Sequence, residues 1–131
     1  MELIKKIDKE SKKQIIRFIC SGILAVLTDL LVYYLLINFI SYSLAKGIAF
    51  LSGTAVAYLL NKYWTFKQPV FSTTQLIKFL ALYLFSLVIN VAINNYTLKE
   101  FKITILAFLI ATGTSTIINF VGQKFWVFKN K

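Results

Sequence analysis

Four long apolar stretches, separated by short polar segments, dominate the pattern along the chain. Each is long enough to cross a bilayer as an α-helix, which takes roughly 20 residues. One proline and five glycines give few turn signals, and the stretches do not show the alternation of half-buried strands. The pattern predicts an all-α membrane protein with four transmembrane helices, at about Ile15–Phe39, Ser43–Trp64, Gln75–Tyr96 and Ile103–Trp126.

The polar segments complete the predicted layout. Residues 1–14 are polar and basic, which indicates a cytoplasmic, interfacial amphipathic segment. Thr65–Thr74 carries the single proline, Pro69, and is expected to form a central loop, whereas Thr97–Lys102 is expected to be a short polar turn. The first apolar stretch lacks an A-x-A-like cleavage site after it, so we expect it to be retained as a helix.

The distribution of lysine and arginine predicts the orientation of the helices. Twelve of the fifteen lie in the N-terminal segment through Arg17, around the central loop, or at the C-terminal end, where they are Lys124, Lys129 and Lys131. The remaining three, in the other two connections, are Lys46, Lys99 and Lys102. The positive-inside rule then places both termini and the central loop in the cytoplasm. Topology and anionic headgroups explain the net charge of +10, so nucleic-acid binding is not expected.

The chain contains an internal repeat of a two-helix unit, with copies at about residues 15–67 and 76–129. The second helix of each copy ends in a matching heptapeptide, NKYWTFK at Asn61–Lys67 and QKFWVFK at Gln123–Lys129. Because each copy has an even number of helices, the copies share one orientation and should be related by an axis along the membrane normal. We therefore predict a single membrane domain over the whole chain, built from two parallel repeats.

One carboxylate lies inside an apolar stretch. Asp29 follows Arg17 by twelve residues, and Asn90 follows Lys78 by the same spacing in the second copy. A charge at the bilayer centre costs at least ~2.5–3.5 kcal/mol, so Asp29 should face the bundle interior or a water-filled cavity. Two interpretations stay open: a neutral, hydrogen-bonded Asp29 that holds helices together, or a polar or proton-titrating site in a substrate path.

Polar side chains recur at helical spacing on the other helices. The third helix carries Asn90 and Asn94 four residues apart. Rows of small residues in the second and fourth helices favour close helix packing. These rows end in the amides of Asn61, Asn119 and Gln123, which are candidates for lining a polar cavity.

The two Trp-x-Phe-Lys ends place aromatic and basic residues at one predicted membrane face. Trp64 and Trp126 suit the interface, where lysine side chains also extend toward water. A second interpretation is a basic ring that binds a phosphate or diphosphate headgroup. The members of that ring would be Arg17, Lys62, Lys78 and Lys124.

The sequence lacks the residue sets that are typical of enzymes. Histidine is absent, and the single cysteine, Cys20, can form neither an intrachain disulfide nor a metal site. Paired carboxylates and a glycine-rich phosphate loop are also missing from the sequence. We therefore expect binding or transport without a cofactor or metal, and not catalysis.

These features resemble the GtrA-like family of small four-helix membrane proteins. The resemblance runs from about Ile15 to Lys129. It rests on Arg17-Phe18, Gly22, Asp29-Leu30 and the helix end Asn61-Lys62-Tyr63-Trp64-Thr65-Phe66. Family members more often carry arginine at the position of Lys62, which argues against bidentate phosphate recognition there.

The resemblance implies a role in cell-surface polysaccharide synthesis at the bacterial cytoplasmic membrane. The implied activity is translocation of a polyprenyl-phosphate-linked monosaccharide, such as an undecaprenyl-phosphate sugar, which a membrane glycosyltransferase uses to decorate a polysaccharide or teichoic acid. Two alternatives stay open: a small proton-coupled exporter resembling the small multidrug resistance proteins, and an accessory subunit of a glycosyltransferase. Four short helices enclose little volume, so a homodimer is also expected.

Overall fold

The computed structural model describes residues 1–129, and the last two residues, including the predicted basic residue Lys131, lie outside the described part. All regular elements of the described part are helical, and the chain divides into two compact units, Met1–Pro69 and Val70–Lys131. The helices are α1 (Glu2–Leu36), α2 (Tyr42–Leu60), α3 (Thr73–Phe101) and α4 (Thr104–Gly122). A five-residue π-helical turn follows α2 at Asn61–Thr65, and another follows α4 at Gln123–Val127.

Each unit is a helical hairpin whose second helix runs on into its π-helical turn. Within residues 1–129, four helical segments are long and apolar enough to cross a membrane, counting each turn with the helix before it. The predicted all-α class with four transmembrane helices is therefore confirmed. The orientation of these helices in the membrane stays a prediction.

Serine side chains cap the first turns of α2 and α3. Ser41 Oγ accepts a hydrogen bond from the Leu44 N–H at 3.3 Å, and Ser72 Oγ accepts one from the Gln75 N–H at 3.3 Å. These bonds satisfy N–H groups that have no partner inside the helix. The caps favour the start of the two helices at Tyr42 and Thr73.

The first helix is longer than the apolar pattern predicts. It begins at Glu2 and not near Ile15, so the polar residues 1–14 continue the same helix. Lysine and glutamate are good helix formers, so a polar composition does not end a helix. With 35 residues, α1 has a length of roughly 52 Å, which exceeds the ~30 Å hydrocarbon core. The polar N-terminal part therefore extends beyond the apolar span.

The polar turn expected over Thr97–Lys102 is wrong. Helix α3 continues to Phe101, and Lys102 ends it in the left-handed region at φ 55°, where its N–H donates to Leu98 O at 2.9 Å. Leucine, lysine and glutamate in this stretch all favour a helix. The reversal into α4 therefore needs only Lys102 and Ile103.

Close approach of α1 and α2 depends on Gly53. A Cβ atom at this position would lie 2.8 Å from the carbonyl oxygen of Ala25 and 3.2 Å from Asp29 Cβ. Gly53 belongs to a buried row of small residues that lets the two backbones pack closely. That row consists of Ala45, Ala49, Gly53 and Ala57.

Replacing Gly53 by alanine should lower the free energy of unfolding by about 1–3 kcal/mol, the usual range for overpacking. The new methyl group would meet a backbone oxygen, which cannot rotate away as a side chain can. The measurement is unfolding in mixed micelles, followed by circular dichroism. Gly47→Ala is the matched control, since a Cβ at Gly47 meets no atom within 4 Å. Equal losses of stability in the two variants would contradict this account.

Candidate functional site

The first unit brings a cation of α1 against the π-helical turn that follows α2. The Arg17 guanidinium carbon lies 5.7 Å from the centroid of the Trp64 ring, and Arg17 Nη1 donates to Trp64 O at 3.4 Å. The turn is closed by the Phe66 N–H, which donates to Asn61 O at 2.8 Å. Such π-helical turns are rare in proteins, and those that occur often lie at functional sites. We call this contact the Arg17–Trp64 pair.

The second unit contains the equivalent contact. Lys78 Nζ lies 5.5 Å from the centroid of the Trp126 ring, and the Phe128 N–H donates to Gln123 O at 2.8 Å to close the turn. We call this the Lys78–Trp126 pair. A cation over an indole ring contributes roughly 0.5–2 kcal/mol, depending on how far it is desolvated. Each unit thus holds one cation beside one tryptophan at the end of its second helix.

The phenylalanine of each Trp-x-Phe-Lys segment is an internal anchor. Phe66 and Phe128 are both buried. The centroid of the Phe128 ring lies 6.4 Å from that of Phe79, which is the second unit's equivalent of Phe18. The two aromatic residues of each segment therefore have different roles. The tryptophan ring lies beside a cation, whereas the phenylalanine side chain is buried.

A buried hydroxyl and amide network lies beside the Arg17–Trp64 pair. Ser21 Oγ donates to Arg17 O at 2.8 Å, and Thr65 Oγ1 donates to Asn61 Oδ1 at 3.1 Å. The two hydroxyl oxygens are 3.4 Å apart. Asn61, predicted as a candidate for a polar cavity, thus binds a side chain of its own turn.

The equivalent positions of the second unit are apolar. Leu82 and Val127 stand where the first unit has Ser21 and Thr65, and both are buried. Gln123 is fully buried, and neither its side-chain oxygen nor its nitrogen has a hydrogen-bond partner in the described part of the chain. Asn119 Oδ1, one helical turn earlier, is also buried without a hydrogen-bond partner among the described residues. An unsatisfied buried polar group costs about 1–3 kcal/mol, so these amides are the strongest candidates for contacts with a ligand.

The other two predicted cations have different surroundings. Lys62 is fully buried, with Nζ 5.3 Å from the centroid of the Tyr63 ring. Lys124 Nζ lies 5.5 Å from the Phe125 ring and 5.7 Å from the Phe120 ring. Both lysines therefore lie beside aromatic rings of their own helix or of the turn that follows it. A ring of all four cations stays a prediction.

Asp29 forms an ion pair with Lys46. Lys46 Nζ is 3.2 Å from Asp29 Oδ1 and 3.4 Å from Oδ2, and it lies 5.8 Å from the centroid of the Tyr33 ring. Sequence analysis placed Lys46 in a connection and used it only for orientation, so it missed this partner. The available signal was position, because Asp29 and Lys46 lie at comparable distances on either side of the connection at residues 37–41.

The second unit has a neutral contact at the corresponding level. Asn90 Nδ2 donates to Ser115 Oγ at 2.9 Å, and Ser115 stands at the repeat position of Gly53. Asn94, one helical turn beyond Asn90, is half-buried. The two units therefore differ in charge at this level.

These observations define an all-helical, multi-pass membrane protein with polar contacts inside each hairpin and a cation beside tryptophan at the end of each. A family model described as the GtrA/DPMS transmembrane domain matches residues 17–128, a stretch that includes both cation–tryptophan pairs. The chain belongs to this family, which confirms the resemblance drawn from the sequence. It is thereby a membrane protein of glycosylation-related sugar–lipid processes.

Proposed function

We propose that this protein translocates a polyprenyl-phosphate-linked monosaccharide across the bacterial cytoplasmic membrane. A membrane glycosyltransferase would then transfer the sugar to a cell-surface polysaccharide or teichoic acid. The observation that carries the proposal is the cation–tryptophan contact, present once in each unit. An interfacial indole suits the headgroup zone, and an arginine or lysine there forms charge-assisted hydrogen bonds with a lipid phosphate.

The sugar requires hydrogen-bonding groups within the apolar span. A carboxamide both donates and accepts, so it can bind neighbouring hydroxyls without adding charge. Gln123 and Asn119 supply such groups, and their amide atoms without partners among the described residues favour this role. The phosphate and the sugar are thus assigned to different residues.

The ion pair at Asp29 favours this function over a proton-coupled exporter. The exporter mechanism needs a membrane carboxylate that exchanges protons as its main task. Asp29 instead has both carboxylate oxygens within 3.4 Å of Lys46 Nζ. A carboxylate paired with a lysine is more consistent with a path for an anionic lipid.

Purified protein in liposomes should accelerate the movement of undecaprenyl-phosphate hexose between the leaflets. The measurement is oxidation of the sugar by membrane-impermeant periodate, added after the lipid has been placed in both leaflets. Without protein, only the outer-leaflet sugar should react, whereas active protein should bring the inner-leaflet sugar within reach. The Gly47→Ala variant should behave like the wild type. If the pure protein gives no acceleration, the translocation proposal fails and an accessory role is favoured.

A further inference from the structure

The ion pair of the first unit lies at the far end of the hairpin from the Arg17–Trp64 pair. Asp29 is twelve residues from Arg17 along α1, or about 18 Å at the helical rise. Lys46 is eighteen residues from Trp64 along α2 and its turn, or about 27 Å. The hydrocarbon core is about 30 Å thick. Arg17 and Lys46 therefore lie near opposite faces of the membrane.

Helix packing alone does not require this charge pair. The second unit joins its helices at the same level with the neutral contact from Asn90 to Ser115, at 2.9 Å. The side chain of Asp29 is only 20% exposed, so its charge carries a desolvation penalty that the neutral contact avoids. Helix packing therefore does not explain why this position carries charges, and a role in binding is a second explanation.

The lysine of the pair is open to an incoming anion. Its side chain is 62% exposed, whereas the side chain of Asp29 is 20% exposed. The contacts of 3.2 and 3.4 Å are longer than the 2.7–2.9 Å that is typical of charge-assisted hydrogen bonds. Lys46 Nζ thus contacts the Asp29 carboxylate and lies 5.8 Å from the centroid of the Tyr33 ring, while most of the lysine side chain is exposed.

We propose that Lys46 binds the phosphate of the polyprenyl lipid at this end of the hairpin and that Asp29 is its resident counter-ion. The arriving phosphate displaces the carboxylate from Lys46, and the ion pair re-forms when the lipid leaves. Competition from Asp29 keeps the phosphate from being held too tightly for release. The chemistry of the ligand rests on the proposed function, whereas the assignment of Lys46 rests on the geometry of the pair.

Protection of Lys46 from acylation tests phosphate binding directly. Wild-type protein in nanodiscs of zwitterionic lipid is treated with an amine-acylating reagent, and each modified lysine is quantified by mass spectrometry. Undecaprenyl phosphate should slow acylation of Lys46 several-fold, whereas uncharged undecaprenol should not. Lys99 and Lys102, both exposed, are internal controls. Equal protection of the controls, or no protection of Lys46, would overturn the proposal, and equal protection by inorganic phosphate would refute a lipid ligand.

The role of Asp29 is tested by Asp29→Asn in the same assay. Removing the competing carboxylate should lower the concentration of undecaprenyl phosphate needed for half-protection by about two- to fivefold, as expected for a partly exposed ion pair. An unchanged concentration would show that Asp29 does not compete with the phosphate.

Transport separates this inference from the proposed function. Lys46→Gln should slow periodate-detected translocation by about tenfold, the effect of losing a charge-assisted contact, while Lys46→Arg should retain most of the rate. The exchange Asp29→Lys with Lys46→Asp keeps an ion pair but presents a carboxylate outward, so it should fold without transporting. Full transport by Lys46→Gln would overturn the inference and leave the proposed function intact. Failure of the wild type to transport would overturn the proposed function, and acylation would still decide whether Lys46 binds phosphate.

Discussion

Replacing both Arg17 and Lys78 by glutamine should slow translocation of undecaprenyl-phosphate hexose by at least about a hundredfold. A hydrogen bond to a charged group contributes about 1.5–3 kcal/mol, and each 1.4 kcal/mol changes a rate tenfold. Two such losses therefore amount to at least ~3 kcal/mol if each cation contributes one phosphate contact to transport. Glutamine preserves much of the side-chain length, so the change removes mainly charge. The measurement is the rate of periodate oxidation of inner-leaflet sugar in proteoliposomes.

The matched control is the double substitution of Lys99 and Lys102 by glutamine. It changes the net charge by the same amount, and these lysines are exposed, but among the described residues the cations that lie over tryptophan rings are Arg17 and Lys78. Its transport rate should stay near that of the wild type. An equal fall in both double variants would mean that overall charge, and not the two cation–tryptophan pairs, determines the rate.

Stability separates binding from folding in this experiment. Each cation–tryptophan contact contributes roughly 0.5–2 kcal/mol, so the double variant should unfold somewhat earlier than the wild type. Transport measured well below the unfolding transition then reports on the phosphate contact. Normal transport by a folded Arg17→Gln, Lys78→Gln protein would refute the proposed role of both pairs.

The helices and the matched helix ends were predictable because their signals are local. Apolar length identifies a membrane span without knowledge of its neighbours. The spacing of Trp64 and Phe66 can likewise be read directly from a short stretch of sequence. Polarity was misleading at Thr97–Lys102, because an exposed helix end and a loop have similar compositions.

Contacts between helices were not predictable in the same way. The Asp29–Lys46 pair depends on the register of two antiparallel helices, which the connection and the close approach at Gly53 determine together. The sequence placed Arg17 and Trp64 at one membrane face, but only the fold shows their contact. Local patterns therefore supplied candidates, and packing decided which of them became partners.

The buried amide of Gln123 shows the same limit and leads to a second strong prediction. Gln123→Met should raise the free energy of unfolding by about 1–3 kcal/mol, because it removes a buried polar group that has no hydrogen-bond partner within residues 1–129. Methionine has a similar size and adapts to irregular spaces. The same variant should slow sugar translocation by about tenfold, since the sugar hydroxyls would lose one amide partner. Unfolding in mixed micelles and the periodate assay measure the two effects.

Asn61→Leu is the matched change at the equivalent position of the first unit. There the amide oxygen accepts from Thr65 Oγ1 at 3.1 Å, so the substitution should destabilise the protein by leaving that buried hydroxyl only the longer contact with Ser21 Oγ, at 3.4 Å. Opposite signs of the two stability changes would show that the first unit uses its amide for folding, while the second holds Gln123 at a cost to stability. A less stable Gln123→Met protein would mean that the amide is satisfied in the folded state. A more stable and fully active variant would remove Gln123 from the sugar path, so stability and transport must be measured on the same preparation.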